Sequence, residues 1–143
     1  MAAVTRIDDR TIRGGCGSFR GACHRMTDPD WDSQEALEKT IYSEFSESLP
    51  RARQWLRDHR AQEVSVTSFD GLTLRVQWIP AKKPVAPTLL FHGYRTHHIH
   101  DFAGIYGLYH AMGLNLLLVR QRAHGESEGK YITFGVKERR DVL

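Results

Sequence analysis

The sequence predicts an α/β domain in which an antiparallel hairpin leads into a parallel sheet covered by helices. Apolar residues alternate along residues 63–78, and the alternation is interrupted by Asp70-Gly71. Two short, continuously apolar runs follow at residues 88–91 and 114–119, and helical spacing separates them. Because strand, helix and strand in that order form a parallel unit, the second half of the chain predicts a parallel sheet.

Composition and charge exclude several classes of protein. The chain has 143 residues, of which 41% are hydrophobic and 26% charged, a balance typical of one globular domain. The net charge of +3 comes entirely from residues 1–25, so a broad basic face for nucleic acid is not expected. No run is apolar enough for a signal peptide or a membrane span, which predicts a cytoplasmic protein without a membrane partner.

Residues 1–25 show neither a helical nor a strand period, and we expect a disordered leader there. Met26 precedes the first organised segment, so the sequence leaves open whether translation starts at Met1 or Met26. Cys16 and Cys23 have no further ligands at zinc spacing and are interpreted as free thiols.

Residues 26–61 predict two helices that pack over the sheet. Asp32 and Glu35 have the spacing of a capping box, and Pro50 suits the first turn of the second helix, which extends to about Arg60. The apolar face of the first helix is Leu37, Ile41, Phe45 and Leu49, and that of the second is Ala52, Trp55 and Leu56.

The elements of residues 62–143 follow from spacing. Residues 63–69 and 72–78 form the hairpin strands, residues 80–87 form a polar linker, and residues 88–91 are typical of a strand buried on both faces. One helix is predicted from Phe102, Ile105, Tyr106, Tyr109 and Met112, with Gly113 ending it before the strand at residues 114–119.

His92-Gly93-Tyr94 stands where the first apolar strand ends. Ligands of open α/β sheets bind at that edge, and Gly93 permits a turn that directs backbone N–H groups at an oxyanion. The alternative is a sharp turn in which His92 is only hydrogen-bonded in the interior.

The strand at residues 114–119 runs into Arg120-Gln121-Arg122-Ala123-His124-Gly125-Glu126-Ser127-Glu128-Gly129. With the HG-aromatic turn before it, this motif resembles the N-terminal region of the α/β-hydrolase superfamily, in particular bacterial serine-aminopeptidase-like or esterase-like members. The resemblance covers residues 63–143. It implies that the HG strand is third and the RAHG strand fourth. Members often carry an acidic residue where Arg120 stands.

Residues 125–129 also match the GxSxG pattern of a nucleophile elbow. An elbow places its serine directly between a strand and a helix, whereas five residues separate Val119 from Gly125 here and no helix follows. Glu126 and Glu128 would also oppose the charge that develops on an attacking hydroxyl. We therefore expect Ser127 to be a polar loop residue.

The resemblance places the true nucleophile, the acid and the catalytic histidine after the RAHG strand, so this chain offers no nucleophile, acid or base. Thr133 can cap a helix that runs towards Arg140, and the chain is interpreted as truncated inside that helix. The domain of residues 62–143 is then an incomplete α/β-hydrolase fold.

His97, His98, His100 and Asp101 invite comparison with a metal site. Adjacent side chains in a loop diverge, so we expect a solvated loop that enters the substrate cleft, without a metal or another cofactor.

The resemblance implies the N-terminal portion of a serine hydrolase that acts on an ester, amide or peptide bond and is inactive alone. The Tyr94 N–H would be one oxyanion donor, with His92 and Gly93 shaping the turn. The intact protein would bind a small-molecule or peptide substrate. The alternative is a non-catalytic binding or scaffold module on the same fold.

Overall fold

The computed structural model describes residues 23–25 and 47–142. Helices and strands are numbered here in chain order within those residues. They are α1 (Ser48–Asp58), β1 (Gln62–Thr67), β2 (Thr73–Ile79), β3 (Ala86–Phe91), α2 (His98–Phe102), α3 (Tyr106–Ala111) and β4 (Leu114–Arg120), followed by a 3-10 turn at Glu138–Arg140.

The four strands form one sheet in the order β1-β2-β4-β3. β1 and β2 pair antiparallel, with Val64 opposite Val76, which confirms the predicted hairpin. β3 and β4 pair in parallel, with Leu90 opposite Leu118, which confirms the strand-helix-strand unit. β2 joins the two halves by pairing antiparallel with β4. Within the described sheet β3 is an edge strand, bonded only to β4.

The hairpin connection is longer than the two-residue turn that Asp70-Gly71 predicted. Residues 68–72 form the loop, in which the Ser68 N–H donates to the Leu72 carbonyl oxygen at 2.8 Å. The Ser68 hydroxyl in turn accepts the Leu72 N–H at 2.9 Å. Gly71 has a φ of +85°, which explains why glycine stands there.

The first face of the sheet is covered by helices. α1 places Pro50 in its first turn as predicted and buries Leu49, Ala52 and Leu56. The part of the first predicted helix that contains Leu37, Ile41 and Phe45 lies outside the described residues. Leu49, which was assigned to that helix, belongs to α1 instead, so that assignment is wrong. The covered face forms the core, which comprises Ala52, Leu56, Ile79, Leu90, Tyr106, Leu116 and Leu118.

The helix predicted between β3 and β4 is interrupted. α2 ends at Phe102 and α3 begins at Tyr106, so the single helix expected from Phe102 to Met112 is wrong. Gly104 lies in the break, where its low helix propensity favours an interruption. Gly113, with a φ of +83°, ends α3 as predicted.

The second face of the sheet is apolar and is open along the outer strands β1 and β3, whereas Leu74, Val76 and Val119 at its centre are buried. Leu89 and Phe91 are 48% and 38% exposed, so the expectation that β3 is buried on both faces is wrong for the described residues. A groove of about 550 Å³ runs over this face. Its lining includes Val66, Leu89, Phe91, Leu117, Val119 and Val142.

The segment after Tyr131 is less regular than predicted. The Thr133 hydroxyl does accept the Lys137 N–H at 3.1 Å, as a cap would. Only turns and the 3-10 segment follow, however, and Gly135 takes a φ of +86° that a helix does not accommodate. The α-helix expected from Thr133 towards Arg140 is therefore wrong.

Cys23, His24 and Arg25, which the sequence assigned to a disordered leader, contact the body of the domain. The Ile132 N–H donates to the Cys23 carbonyl oxygen at 2.7 Å, and His24 forms a β-bridge with Tyr131. Cys23 is a free and buried thiol, whereas Cys16 lies outside the described residues. In the part of the chain that is described, no helix is long and apolar enough to cross a bilayer.

Candidate functional site

The carboxyl end of β3 continues into the HGY turn, residues 92–94. His92 is only 3% exposed, and its Nδ1 lies 2.9 Å from the Gly93 carbonyl oxygen. Its Nε2 accepts the Gln121 N–H at 3.3 Å, while the Gln121 side-chain amide donates back to the His92 carbonyl oxygen. These bonds fix the neutral tautomer with the proton on Nδ1, and burial lowers the pKa of His92.

The conformation of the turn has a different origin from the one predicted. Gly93 does not have a positive φ. The residue of this turn in the left-handed conformation is Arg95, with a φ of +53°. A Cβ at position 93 would lie in ordinary van der Waals contact, 3.4 Å from the Thr96 side chain and 3.5 Å from the Asp101 carboxylate. The Gly93 N–H donates to Asp101 Oδ2 at 2.6 Å. The structure therefore gives neither an unusual φ nor a steric clash as the reason for glycine at this position.

Tyr94, the residue whose N–H was predicted as an oxyanion donor, lies at the surface. Its residue exposure is 49%, and its ring packs against that of Phe134 with centroids 5.1 Å apart. We call residues 120–129 the RAHG loop. The turn at the end of β3 thus contacts the segment that follows this loop.

Ser127 occupies the opposite kind of environment. It is 0% exposed, and its hydroxyl donates to the Arg120 carbonyl oxygen at 2.6 Å and accepts the Arg75 N–H at 2.8 Å. Both bonds go to backbone groups, so the serine ties β2 to the end of β4. This geometry supports its interpretation as a loop residue and not as a nucleophile.

Arg122 anchors the same loop from within the fold. It is 2% exposed and forms ion pairs with Asp70 at 3.0 Å and with Asp141 at 2.6 Å. Burial alone would lower the pKa of Arg122, but its bonds to the two carboxylates raise it. One guanidinium therefore joins the hairpin loop, the RAHG loop and the residue that follows the 3-10 segment.

Arg25 holds the outer side of the RAHG loop. Its guanidinium donates to the carbonyl oxygens of Gly125 and Ser127, the latter at 2.8 Å. A third contact, to the Gly129 carbonyl oxygen, measures 3.4 Å. The loop is thus fixed by backbone contacts along its length.

Arg120, which departs from the acidic residue common in the resembled family, is buried and paired. Its guanidinium lies 2.7 Å from Glu63 and 2.9 Å from Glu126. Burial alone would raise the pKa of Glu63, but the bonds from Arg120 and Gln77 lower it. The positive charge at the strand end is therefore balanced locally.

The histidine cluster is not the solvated loop that was expected. His98 and His100 lie in α2, and His98 is fully buried, with its Nδ1 2.8 Å from the Tyr106 hydroxyl. His97 is the N-cap residue of α2, and its Nδ1 accepts the Ile99 N–H at 3.3 Å. Within residues 23–25 and 47–142, no three His, Cys, Asp or Glu side chains are grouped to hold a metal.

The groove on the open face approaches the HGY turn without including it. Phe91, the residue directly before the turn, lines the groove together with Val119 and Gln121. The turn and the groove therefore meet at the carboxyl ends of the two parallel strands, where ligands bind in open α/β sheets.

Solved structures provide the comparison with known proteins. An esterase from Pyrococcus furiosus is similar at 30% identity and a TM-score of 0.50, over 61% of this chain and 36% of that chain. Another crystal form of that esterase gives 31% identity and a TM-score of 0.49, over 61% and 34%. The α/β hydrolase GrgF from a Penicillium species gives 30% identity and a TM-score of 0.42, over 48% and 24%.

The similarity with a TM-score of 0.50 identifies the fold. The described residues form part of an α/β-hydrolase fold, as the sequence predicted. The chain spans about a third of the length of the esterase chains that it matches. No protein-family model matches the sequence. No curated protein matches it either.

Two contacts at the site were missed by sequence reasoning. Asp101 was grouped with the histidines as a metal candidate, although its role here is to accept the Gly93 N–H. Arg25 was assigned to the leader, although it binds the RAHG loop from more than a hundred positions away in sequence. The spacing of residues in the sequence does not predict these contacts, because each joins residues that only the folded chain brings together.

Proposed function

We propose that the described residues are the N-terminal portion of a serine hydrolase whose substrate is a carboxylic ester, with amides and peptides as the related alternatives. The observation that carries the proposal is the HGY turn at the carboxyl end of β3, in a fold similar to that of an esterase. The finer assignment to the serine-aminopeptidase-like branch rests on the RAHG motif alone.

The chemistry that the turn can supply is electrostatic. Attack of a serine on an ester carbonyl carbon turns the carbonyl oxygen into an oxyanion, which backbone N–H donors stabilise. By resemblance, we assign one such donor to the Tyr94 N–H. The neighbouring Gly93 N–H is bonded to Asp101. By resemblance, the second donor follows the nucleophile in sequence.

The nucleophile, the acid and the catalytic histidine would then lie outside the described residues. Ser127 is unsuited to attack because its hydroxyl is buried and bonded to two backbone groups. Residues 1–143 alone would accordingly have no esterase activity, and the intact protein would bind a small-molecule or peptide substrate in the cytoplasm.

A turnover assay tests the proposal. The protein, in the longest form that its cells translate, is purified and assayed with nitrophenyl esters of short and medium acyl chains. We expect turnover that a serine-directed sulfonyl fluoride abolishes, and none from residues 1–143 expressed alone. Absence of turnover and of covalent inhibition in the longest form would contradict the proposal and favour a binding or scaffold module.

A further inference from the structure

A single carboxylate bridges the two ends of the segment that contains Tyr94. Asp101 Oδ2 accepts the Gly93 N–H at 2.6 Å, and Asp101 Oδ1 accepts the Thr96 hydroxyl at 2.9 Å. Tyr94 and Arg95 lie between the two bonded residues. Asp101 itself is carried by α2, which packs on the covered side of the sheet.

The bridged segment needs an external constraint. Arg95 has a φ of +53°, a conformation that is unfavourable for a residue with a side chain and persists only where the surroundings hold it. The carboxylate bridge supplies such a constraint from both sides. It also fixes the peptide before Gly93, and so limits the directions in which the next N–H, that of Tyr94, can point.

We propose that Asp101 is a positioning residue, which holds the HGY turn so that the Tyr94 N–H faces the developing oxyanion. This inference rests on the proposed function, since an oxyanion forms only if the protein is a hydrolase. Asp101 would not touch the substrate. It would act through the backbone of residues 93–96.

The negative charge of Asp101 distinguishes a positioning role from electrostatic stabilisation of the oxyanion. A carboxylate near a developing oxyanion opposes the negative charge, so Asp101 can help only by geometry. An asparagine reproduces that geometry without the charge. Its amide oxygen can accept the Gly93 N–H, and its amide nitrogen can donate to the Thr96 hydroxyl, whose proton is free to rotate.

Three variants of the longest translated form test the inference. D101L removes both hydrogen bonds and keeps the number and branching of the side-chain heavy atoms. D101N keeps both bonds without the charge, and T96V removes the bond from Thr96. We expect D101L to lower kcat by about 10- to 100-fold while KM changes by less than about threefold, because displaced oxyanion donors affect mainly the transition state. D101N should restore kcat to within about threefold of wild type. The kcat of T96V should lie between those of D101L and D101N.

A matched variant in the other loop controls for general destabilisation. S127A removes two buried hydrogen bonds of a residue that we place outside the chemistry, so it should lower the melting temperature and leave kcat unchanged. Amide hydrogen exchange over residues 93–96 is measured in parallel. It should accelerate in D101L and remain slow in D101N, and a structural role elsewhere would not produce this pattern.

Each outcome has a distinct meaning. If the wild type turns over esters and D101L retains its kcat, the inference is wrong and the proposed function stands. If D101N is as impaired as D101L, the charge matters and the positioning role is wrong. If the wild type shows no turnover and no covalent inhibition, the proposed function fails and the inference fails with it. If D101L does not fold, T96V and D101N decide through the same kcat and exchange measurements.

Discussion

The loops that follow the two parallel strands differ in how they are held. The turn after β3 lies partly at the surface, where Tyr94 is half exposed. The Gly93 N–H of this turn is bonded to the Asp101 carboxylate. The loop after β4 is interior, with Arg122 and Ser127 fully buried and bonded on several sides. A turn at the surface can meet a substrate, whereas a buried loop bonded to its surroundings suits a structural role. The loop that contains the catalytic-looking GxSxG pattern is therefore the structural one.

The largest effect that we expect comes from Arg122. Replacing it with methionine leaves Asp70 and Asp141 without their buried partner, which should lower the free energy of unfolding by about 3–5 kcal/mol. Denaturant unfolding at neutral pH measures this. Arg57→Met, at an exposed position on α1, is the matched control and should cost less than about 0.5 kcal/mol. Equal losses in both variants would show that the interior loop is not the anchor described here.

Sequence reasoning succeeded where contacts are local. The hairpin, the parallel pair and the stop at Gly113 follow from spacing within a few residues, and all three are confirmed. Ser127 could be set aside as a nucleophile from its distance to Val119, and its buried bonds agree with that interpretation.

The predictions that failed depended on distant parts of the chain. The exposure of Leu89 and Phe91 follows from what covers the second face of the sheet, which an apolar run does not specify. The bond from the Gly93 N–H to Asp101 was missed because Asp101 lies on another element. The helix after Thr133 was expected from its cap, but Gly135 stops it. Whether the Tyr94 N–H is an oxyanion donor stays a prediction.

A smaller effect is expected for Ser127. Ser127→Ala leaves the Arg75 N–H and the Arg120 carbonyl group without their buried partner, which should cost about 1–3 kcal/mol of unfolding free energy. Ester turnover should be unchanged, because the hydroxyl takes no part in the chemistry. Ser65→Ala, on the exposed strand β1, is the control for stability. Loss of turnover in Ser127→Ala with little loss of stability would reverse the roles of the two loops.

The two loops should also respond differently to pH. Burial, with the charge of Arg120 as the next cause, lowers the pKa of His97 to about 3, against about 6.5 in an unfolded chain. The unfolded state then binds more protons below pH 6.5, so stability is full above that pH and falls as the pH decreases. Between pH 7 and 5 we expect His97 to contribute a loss of about 1–2 kcal/mol to the free energy of unfolding.

The ion pairs of the interior loop should be insensitive over the same interval. Arg122 holds the pKa of Asp70 well below its ordinary value, so this pair weakens only when the pH falls towards the unfolded carboxyl pKa of about 4. His97→Gln should therefore reduce the loss of stability between pH 7 and 5 by about 1–2 kcal/mol. A remaining loss is expected from His92 and His98, because burial lowers the pKa of both. Arg122→Met should lower the free energy of unfolding by the same amount at pH 7 and at pH 5. An unchanged slope in His97→Gln would contradict the assignment of acid sensitivity to the turn after β3.

The most direct measurement of the central claim is the site of covalent labelling. The longest translated form is treated with a fluorophosphonate probe, digested, and mapped by mass spectrometry, with Ser127→Ala treated in parallel. We expect one labelled serine other than Ser127, and the same adduct at the same rate in Ser127→Ala. An adduct on Ser127 that disappears in Ser127→Ala would show that the loop after β4 carries the chemistry and would contradict this account.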